Sequence, residues 1–329
     1  MASPAWRPSA DLATLRLRAE LLQRIRAFFA ARGVLEVETP VLSAAAVTQP
    51  HLASFATPYS GPGSRHGQTL YLHTSPEFPM KRLLAAGSGC IYQMARVFRD
   101  GEAGRRHNPE FTLLEWYRVG FDADRLMDEV TELVTALLAG RLTLEEPERL
   151  SYRELFQRHL DLDPHRTSVA ELAAGAARHG IPIPPGMPAD DADPWLDLLL
   201  TQGIEPYLGQ GRLTFIHDYP ASQAALARLR PGDPPVGERF ELYLSGLELA
   251  NGFHELGDAD EQRRRFEAEN VARRARGLPV MPLDESLLDA LAAGLPDCAG
   301  VALGFDRLVM LAAGKDAIQE VMAFPLERA

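Results

Sequence analysis

The amino-acid sequence predicts an α+β fold in which an antiparallel β-sheet is flanked by helices. Two candidate strands, Cys90–Phe98 and Phe111–Tyr117, flank one polar loop and form a hairpin. A second hairpin is indicated at residues 239–251, where Ser245-Gly246 separates two apolar-rich stretches. Helical periodicity occurs between such stretches without the regular alternation of parallel strand–helix–strand units. No glycine-rich nucleotide motif follows a strand, which argues against Rossmann and Walker sites.

The first third of the chain begins with a helix. Apolar residues at helical spacing predict a helix over Asp11–Ala31, with Asp11 as its N-cap and Gly33 just after its end. Residues 34–39 then alternate as a strand does, and Pro40 closes that strand. The next predicted elements are a loop over Ser54–Gly67, a short strand over Thr69–His73 and a helix over Pro79–Ala86.

The rest of the chain is less regular. A helix is predicted over Asp124–Ala139, and residues 140–235 are interpreted as a mostly helical excursion with proline-rich connectors. Asp260–Arg276 is a charged helix whose Arg/Glu run indicates a solvated face. The apolar run Val301–Leu311 ends the core. Since we find no repeat and no long linker, we expect a single domain over residues 1–329.

Composition narrows the class of protein. The 329 residues include 45 acidic and 34 basic side chains, so the net charge of −11 argues against a mainly electrostatic nucleic-acid binder. Two cysteines, Cys90 and Cys298, form no zinc-binding pattern and are expected to be free thiols. No apolar run approaches the roughly 20 residues of a membrane span, and the N-terminus lacks the apolar region of a signal peptide. We therefore expect a cytoplasmic protein without membrane contact.

The loop between the first two hairpin strands carries the densest set of chemical groups. Arg99, Arg105 and Arg106 accompany His107 and Phe111. Arginine binds phosphate through two parallel hydrogen bonds, and an aromatic ring offers a face for stacking. The segment therefore suits an anionic, planar ligand; the alternative is an exposed polar hairpin.

The second hairpin brings two glutamates together. With Ser245-Gly246 as the turn, Glu248 lies opposite Tyr243, and Glu241 lies diagonally on the same face. Neighbouring carboxylates repel unless a cation lies between them, and Mg²⁺ with phosphate oxygens is a common solution. The alternative is a pair of solvated glutamates. Asn251 would join them only with a β-bulge at Gly252.

Three further groups could take part in chemistry. Asp306-Arg307 interrupts an apolar run, which indicates either a buried structural ion pair or an arginine directed at phosphate. Glu77, which follows Thr74-Ser75-Pro76, is either a favourable acid near a helix start or an amine-binding carboxylate. Glu115 and Tyr117 are two residues apart on a strand and therefore share one face.

Taken together and in this order, these segments resemble the catalytic core of class II aminoacyl-tRNA synthetases. Gly33–Pro40, Phe98–Tyr117 and Gly304–Leu308 are similar to the three motifs of that class. The details FR…HNPEF, ELANGFHEL and TSPE resemble the lysyl branch. The first core helix is predicted to begin near residue 11, so we expect no counterpart of the N-terminal anticodon-binding OB domain that lysyl-tRNA synthetases carry. The chain therefore resembles the lone-core paralogs, the elongation factor P–(R)-β-lysine ligases, and Ala302 stands where the tRNA enzymes usually have glycine.

This resemblance implies an activity and its partners. The family activates (R)-β-lysine with ATP and Mg²⁺ and transfers it to a lysine side chain of elongation factor P. It also implies a homodimer through Gly33–Pro40 and makes tRNA an improbable substrate. Two alternatives stay open: a truncated lysyl-tRNA synthetase-like enzyme acting on L-lysine and tRNA, and a non-catalytic adenylate-binding regulator.

The resemblance also assigns residues. Arg99 and Arg307 are expected to contact phosphates as the catalytic arginines, and Phe111 and Arg307 to enclose adenine. The full ATP-binding set is Arg99, Asp100, Gly101, His107, Asn108, Phe111, Glu248, Leu249, Gly304 and Arg307. Substrate binding is assigned to Ser75, Pro76, Glu77, Glu115, Tyr117, Asn251, Glu255 and Ala302, and metal binding to Glu241 and Glu248.

One position departs from the family pattern. Gly101 replaces an acidic residue that helps to read adenine in the family, and Glu102 follows one place later. Either Glu102 reaches the adenine on a rearranged loop, or the backbone groups of Asp100-Gly101 are enough to bind it.

Overall fold

The computed structural model describes residues 6–63 and 67–329. The chain divides into two compact units: unit 1 comprises Met1–Gly120 and Gly257–Ala329, and unit 2 comprises Phe121–Leu256. Residues 1–5 of the N-terminal stretch and residues 64–66 of the predicted loop lie outside the described residues. The prediction of one domain over residues 1–329 stays a prediction.

The helices range from 6 to 19 residues in length. They are α1 (Leu12–Ala30), α2 (Glu77–Ala85), α3 (Ala123–Leu138), α4 (Tyr152–Leu160), α5 (Val169–Arg178), α6 (Asp193–Leu198), α7 (Ala259–Ala275), α8 (Glu285–Gly294) and α9 (Phe305–Ala313). Short helical turns occur at Leu199–Ile204, Glu205–Tyr207, Ala221–Gln223, Ile318–Glu320 and Leu326–Arg328.

The strands range from 2 to 10 residues, and two pairs of long strands form hairpins. They are β1 (Leu35–Glu36), β2 (Leu42–Ser43), β3 (Ala56–Tyr59), β4 (Gln68–Leu72), β5 (Ile91–Phe98), β6 (Glu110–Val119), β7 (Glu145–Ser151), β8 (Arg212–Pro220), β9 (Leu229–Arg230), β10 (Val236–Leu244), β11 (Leu247–His254) and β12 (Cys298–Gly304).

Unit 1 is built on the strand order β1-β5-β6-β12. β5 pairs antiparallel with β6, and β6 pairs antiparallel with β12, whereas β1 pairs parallel with β5. Helix α1 covers one face, because its buried residues Leu17, Leu21, Ile25 and Phe29 recur every four positions. The Phe29 ring stacks on Tyr92 with 4.4 Å between the ring centroids. A small antiparallel sheet, β2-β4-β3, completes the unit.

Unit 2 has the strand order β11-β10-β8-β7, and β9 also pairs with β10. The pairs β10–β11 and β10–β8 are antiparallel, whereas β7 and β8 run parallel. Its core lies where α4, α5 and α6 pack against β8, around Tyr152. That ring stacks on Phe156 at 4.6 Å and contacts Tyr219 at 4.8 Å. Tyr243 of β10 belongs to the same core, so this packing supports the β10–β11 hairpin.

Several local predictions are confirmed. The Asp11 carboxylate accepts a hydrogen bond from the Thr14 amide at 2.7 Å and caps α1. The two predicted hairpins form, and Ser245 and Gly246 both have positive φ, as a two-residue hairpin turn requires. The predicted α+β class is confirmed, with sheets that are mainly antiparallel.

Other predictions need correction. The strand predicted over residues 34–39 contains only Leu35–Glu36, because the chain leaves β5 before Pro40, which has no amide to donate. The predicted loop Ser54–Gly67 contains β3, where Pro58 is tolerated on an edge strand. Helix α2 begins at Glu77, two residues before the predicted start at Pro79.

The fourth correction concerns residues 140–235, which were expected to be a mostly helical excursion with proline-rich connectors. This region also contains strands β7, β8 and β9. In β8, Leu213, Phe215 and Ile216 are all buried, so both faces are apolar and the alternation that marks a half-exposed strand is missing. No helix among the described residues is long and apolar enough to cross a membrane.

Candidate active site

A buried carboxylate lies on the β6 strand of unit 1. Glu115 is 2% exposed and accepts two hydrogen bonds, from the hydroxyl of Ser75 and from that of Tyr117, each at 2.7 Å. Ser75 belongs to the turn before α2, and Tyr117 lies two residues further along the same strand face, as predicted. Both hydroxyls donate to the carboxylate and hold it in place on this face of β6.

Strand register places other predicted residues on the same face of β6. On β12, Ala302 lies directly opposite Glu115 of β6, and Gly304 lies opposite Leu113 of β6. Phe111 and Ala302 pack against a small cluster on this face. Because alternate residues of a strand share a face, β6 presents Phe111, Glu115 and Tyr117 together. The register therefore assembles two predicted ATP-binding residues, Phe111 and Gly304, and three predicted substrate-binding residues.

Glu77 lies in the first turn of α2, after the buried residue Pro76. Its amide donates to the Ser75 hydroxyl at 3.0 Å, and its carboxylate accepts a hydrogen bond from the Lys81 ammonium at 2.6 Å. Lys81 is 2% exposed, so this is an ion pair with one deeply buried partner. Sequence reasoning missed Lys81, although its position four residues after Glu77 on a helix was a usable signal.

Arg99 and Phe111 come together at the base of the loop that joins β5 to β6. The guanidinium lies over the Phe111 ring, with 5.0 Å between the guanidinium carbon and the ring centroid. Its Nε is buried and donates no hydrogen bond to any described residue. A buried donor of this kind usually has a partner, so Arg99 is suited to an anionic ligand.

Glu102 lies 3.7 Å from the Arg99 guanidinium. The contact shows that Glu102 turns toward the arginine at the base of the loop. Gly101 has φ +82° and lies in the left-handed region that an aspartate or glutamate enters only at a cost. The backbone conformation therefore explains why glycine stands at this position. Asp100 is exposed, and its amide donates to the Ala53 carbonyl at 2.8 Å.

His107 and Arg307 contact each other although they come from different motifs. Nη2 of Arg307 lies 2.8 Å from Nε2 of His107. Burial lowers the pKa of His107, and the positive charge of Arg307 lowers it further. The imidazole is therefore neutral at neutral pH, and its ring nitrogen can accept a hydrogen bond from the guanidinium.

Asp306 plays a different part from its neighbour Arg307. It is 1% exposed, forms an ion pair with Arg18 of α1 and accepts a hydrogen bond from the Thr112 amide at 2.6 Å. Arg18 also donates to the Thr112 hydroxyl at 2.8 Å. The buried structural role weighed for Asp306 is therefore confirmed, with Arg18 as the partner that the sequence did not reveal. Gly304 is the N-cap of the same helix, α9.

Asn108 is held by the protein itself. The side chain is 5% exposed, its amide donates to the Glu110 carbonyl at 2.6 Å, and its oxygen accepts from the Leu326 amide at 3.1 Å. These bonds favour a role in fixing the loop, in contrast to the direct ATP contact predicted from the resemblance.

In unit 2, the β10–β11 hairpin aligns the predicted metal ligands. Tyr243 lies opposite Glu248, as the turn predicted, and Glu241 lies opposite Asn251. The register shifts between Leu242 and Tyr243, so the bulge is at Leu249 on β11. The prediction of a bulge is confirmed, but its predicted position at Gly252 is wrong. The extra residue brings Glu248 and Asn251 onto one face with Glu241.

Arg239 is a residue of this face that sequence reasoning missed. Its guanidinium forms an ion pair with Glu241, donates to the Asn251 oxygen at 3.2 Å and lies 4.3 Å from the Tyr219 ring centroid. The Tyr243 hydroxyl donates to the other oxygen of Glu241 at 2.6 Å. The sequence signal for Arg239 was its position two residues before Glu241, which places both side chains on one face of the strand. Arg239 therefore supplies a positive charge beside the Glu241 carboxylate.

The charges on this face affect the pKa of the neighbouring Tyr243. Burial raises the pKa of Tyr243 well above its usual value, and the Glu241 charge raises it further. Its hydroxyl therefore stays protonated and remains a donor to Glu241.

The Leu249 side chain and Glu255 are both buried, each 2% exposed.

The donor set can be tested against Mg²⁺. Both oxygens of Glu241 already accept one hydrogen bond, but each carboxylate oxygen has a second lone pair. Glu248 is only partly buried on the same face. Two carboxylates fit an ion that takes its remaining ligands from water and phosphate. Within residues 6–63 and 67–329, no group of three or more His, Cys, Asp or Glu side chains could hold a metal by itself.

Comparison with known proteins gives consistent results. The family model of class II tRNA synthetases (D, K and N) matches residues 5–328. The elongation factor P–(R)-β-lysine ligase of Yersinia enterocolitica is 54% identical over 325 residues, which cover 99% of this chain and 98% of that protein. Proteins of the same name from Salmonella paratyphi B and Salmonella schwarzengrund are each 53% identical over 324 residues, which cover 98% of both chains.

The match extends over almost the whole length on both sides and includes the loop of Arg99, the β10–β11 hairpin and the Arg307 helix. The chain therefore belongs to the class II tRNA synthetase family and, within it, to the group that contains the elongation factor P–(R)-β-lysine ligases.

Proposed function

We propose that this protein is an ATP-dependent ligase that activates (R)-β-lysine as its adenylate and transfers it to a lysine side chain of elongation factor P. The observation that carries the proposal is the identity of 53–54% with ligases of that name over 98–99% of the chain. The geometry of the two units supports it with groups of the right charge for each substrate. We place this activity in the cytoplasm, in one catalytic domain over residues 1–329.

ATP binding is assigned mainly to unit 1. Arg99 offers a buried donor with no partner among the described residues, and Phe111 beside it offers a ring face for adenine. Arg307 supplies a second guanidinium, oriented by the neutral His107. Asp100, Gly101 and Gly304 contribute backbone, and Glu248 and Leu249 of unit 2 complete the proposed set.

The amino acid is selected by charge. A diamino acid carries two ammonium groups, which need carboxylate partners once they leave water. Glu77 and Glu115 in unit 1 and Glu255 in unit 2 are largely buried carboxylates that suit this task. Ser75, Tyr117 and Asn251 add hydrogen-bonding groups. A neutral amino acid would lack the charge-assisted contacts that an ammonium group makes with these carboxylates, so it would be rejected.

Glu241 and Glu248 are proposed to hold Mg²⁺. When bound there, the ion would neutralise charge on the phosphate oxygens. Arg239 fixes the Glu241 carboxylate on the hairpin face, and Tyr243 orients its second oxygen. The rigid hairpin therefore keeps the carboxylates in place before the nucleotide arrives.

Catalysis is proposed to rest on positioning and charge. A carboxylate oxygen of (R)-β-lysine forms a bond to the α-phosphorus of ATP, and the bond from that phosphorus to the pyrophosphate oxygen breaks. The attacking group is already ionised, so no protein base is needed. Arg99 and Arg307 stabilise the charge on the phosphates in the transition state. The neutral amine of the acceptor lysine then attacks the adenylate carbonyl, an amide forms, AMP leaves and the amine proton passes to water.

A homodimer through Gly33–Pro40 is part of the proposal. Leu35 is 54% exposed on the short strand β1, and apolar exposure of this kind suits an interface between copies. Sedimentation of the protein tests it, since a monomer at micromolar concentration would contradict the dimer.

The central experiment is ATP–pyrophosphate exchange with (R)-β-lysine, with L-lysine and with no amino acid. We expect exchange that strongly prefers (R)-β-lysine, followed by a mass increase of purified elongation factor P that depends on ATP. Preference for L-lysine would favour the synthetase-like alternative, tested with tRNA. Exchange with none of them would contradict an adenylating enzyme and favour a regulator.

A further inference from the structure

The loop that joins β5 to β6, which we call the nucleotide loop (residues 99–110, including the first residue of β6), is closed at its base by the Arg99 amide, which donates to the Pro109 carbonyl at 2.9 Å. Gly104 and His107 form one isolated bridge, with hydrogen bonds of 3.1 and 3.3 Å between their backbones. Arg105 and Arg106 at its tip are exposed. Contacts from neighbouring segments can add order to this exposed tip.

The restraint comes from the end of the chain, within unit 1. The C-terminal segment (residues 316–326) contacts the tip of the nucleotide loop through three hydrogen bonds. The Ile318 amide donates to the Arg105 carbonyl at 2.9 Å, and the Gln319 side-chain amide donates to the Gly104 carbonyl at 3.1 Å. In return, Arg105 Nε donates to the Asp316 carbonyl at 3.2 Å.

A second anchor holds the other end of the loop. The Leu326 amide donates to the Asn108 side-chain oxygen at 3.1 Å, and Asn108 donates to the Glu110 carbonyl at 2.6 Å. Asn108 directly follows His107, which contacts Arg307. The C-terminal segment therefore fixes the backbone on both sides of His107.

The C-terminal segment is itself anchored independently of the loop. Ile318, Val321 and Met322 are buried. The carbonyls of Met322 and Ala323 accept hydrogen bonds from the amides of residues 10 and 9, at 3.0 and 2.8 Å. A segment held in this way can restrain the loop that it contacts.

We propose that the C-terminal segment positions the nucleotide loop for ATP, with Gln319 and the Leu326 amide as positioning groups. The inference rests on the proposed function, since it assumes that residues 99–110 bind ATP. Neither group touches the substrate in this scheme; each acts through Gly104 or Asn108. The expected signature is a higher KM for ATP with little change in the KM for the amino acid.

The first test removes one donor. Gln319→Met keeps the length of the side chain and removes the bond to Gly104. Loss of one neutral hydrogen bond should raise the KM for ATP about fivefold in pyrophosphate exchange. Glu320→Gln is the matched control, because Glu320 lies on the same turn, is exposed and interacts with Lys315 at 3.6 Å. It should leave both KM values unchanged.

The second test uses the backbone. Leu326→Pro removes the amide that binds Asn108, and Pro325 already has the extended conformation that a following proline requires. Leu326→Ala removes the exposed side chain but keeps the amide. We expect a severalfold rise in the KM for ATP with proline and none with alanine.

Hydrogen–deuterium exchange over residues 99–110 separates this inference from the proposed function. Faster exchange there in Gln319→Met and Leu326→Pro, together with the raised KM for ATP, supports it. An active wild-type protein whose variants keep the wild-type KM for ATP overturns it, whether or not the loop exchanges faster. If the wild-type protein shows no pyrophosphate exchange with any amino acid, the proposed function fails. In that case, deuterium exchange alone tests the restraint on the loop. Exchange over residues 99–110 at the wild-type rate in both variants would overturn the restraint.

Discussion

Replacing Asp306 by asparagine should destabilise unit 1 more than its small change in shape suggests. Asp306 is 1% exposed and is paired with Arg18, whose side chain is 17% exposed. Asparagine can still accept the hydrogen bond from the Thr112 amide, but it leaves the guanidinium in a poorly solvated place without a counter-charge. Removing one partner of a buried ion pair costs about 3–5 kcal/mol. Because Arg18 keeps some contact with water, we expect about 3 kcal/mol.

The assay is urea unfolding followed by tryptophan fluorescence, to which Trp116, fully buried in unit 1, contributes. A double-mutant cycle with Arg18→Met isolates the pair, since the double variant leaves neither charge unmatched. We expect a coupling energy of about 2 kcal/mol. Glu20→Gln on the same helix is the control, because the Glu20–Arg24 pair is exposed and should be worth less than about 0.5 kcal/mol. An Asp306→Asn cost below about 1 kcal/mol, or no coupling, would refute this reasoning.

Three further predictions concern the proposed chemistry. Glu255→Gln should lower activation of the diamino acid about tenfold and spare ATP binding, because a charge-assisted pair is lost; equal exchange kinetics would contradict its assignment. Arg307→Ala should reduce pyrophosphate exchange to background, and near-normal exchange would show that it does not contact phosphate. Burial and the charge of Arg307 lower the pKa of His107 below its usual value, so the neutral ring prevails at neutral pH, and protonation at more acid pH sets two positive charges against each other. The KM for ATP should therefore rise in the acid range, and His107→Gln should flatten this acid limb; an unchanged pH profile in that variant would exclude His107 as its source.

Features encoded by neighbouring residues could be predicted from the sequence. The Asp11 cap, the Ser245-Gly246 turn and the shared face of Glu115 and Tyr117 depend on groups a few positions apart, whose geometry is set by local backbone preferences. The need for a bulge near Asn251 followed from strand alternation alone. Its position at Leu249 depends on packing against the partner strand, which alternation does not specify.

The tertiary structure decided which charged groups meet. Arg18 and Asp306 are 288 residues apart, and no local pattern connects them. Strand β8 was missed because both of its faces are buried, and this removes the alternation by which a strand is recognised. The residue types of the segment Phe98–Phe111 predicted a ligand-binding loop, which stays a prediction, but that segment does not show which distant residues contact it. The restraint comes from Gln319 and Leu326, which approach the loop only after the chain has folded. The sequence thus determined the local elements and the kind of chemistry, while long-range packing determined the partners of each charge, because those partners are chosen by the whole fold.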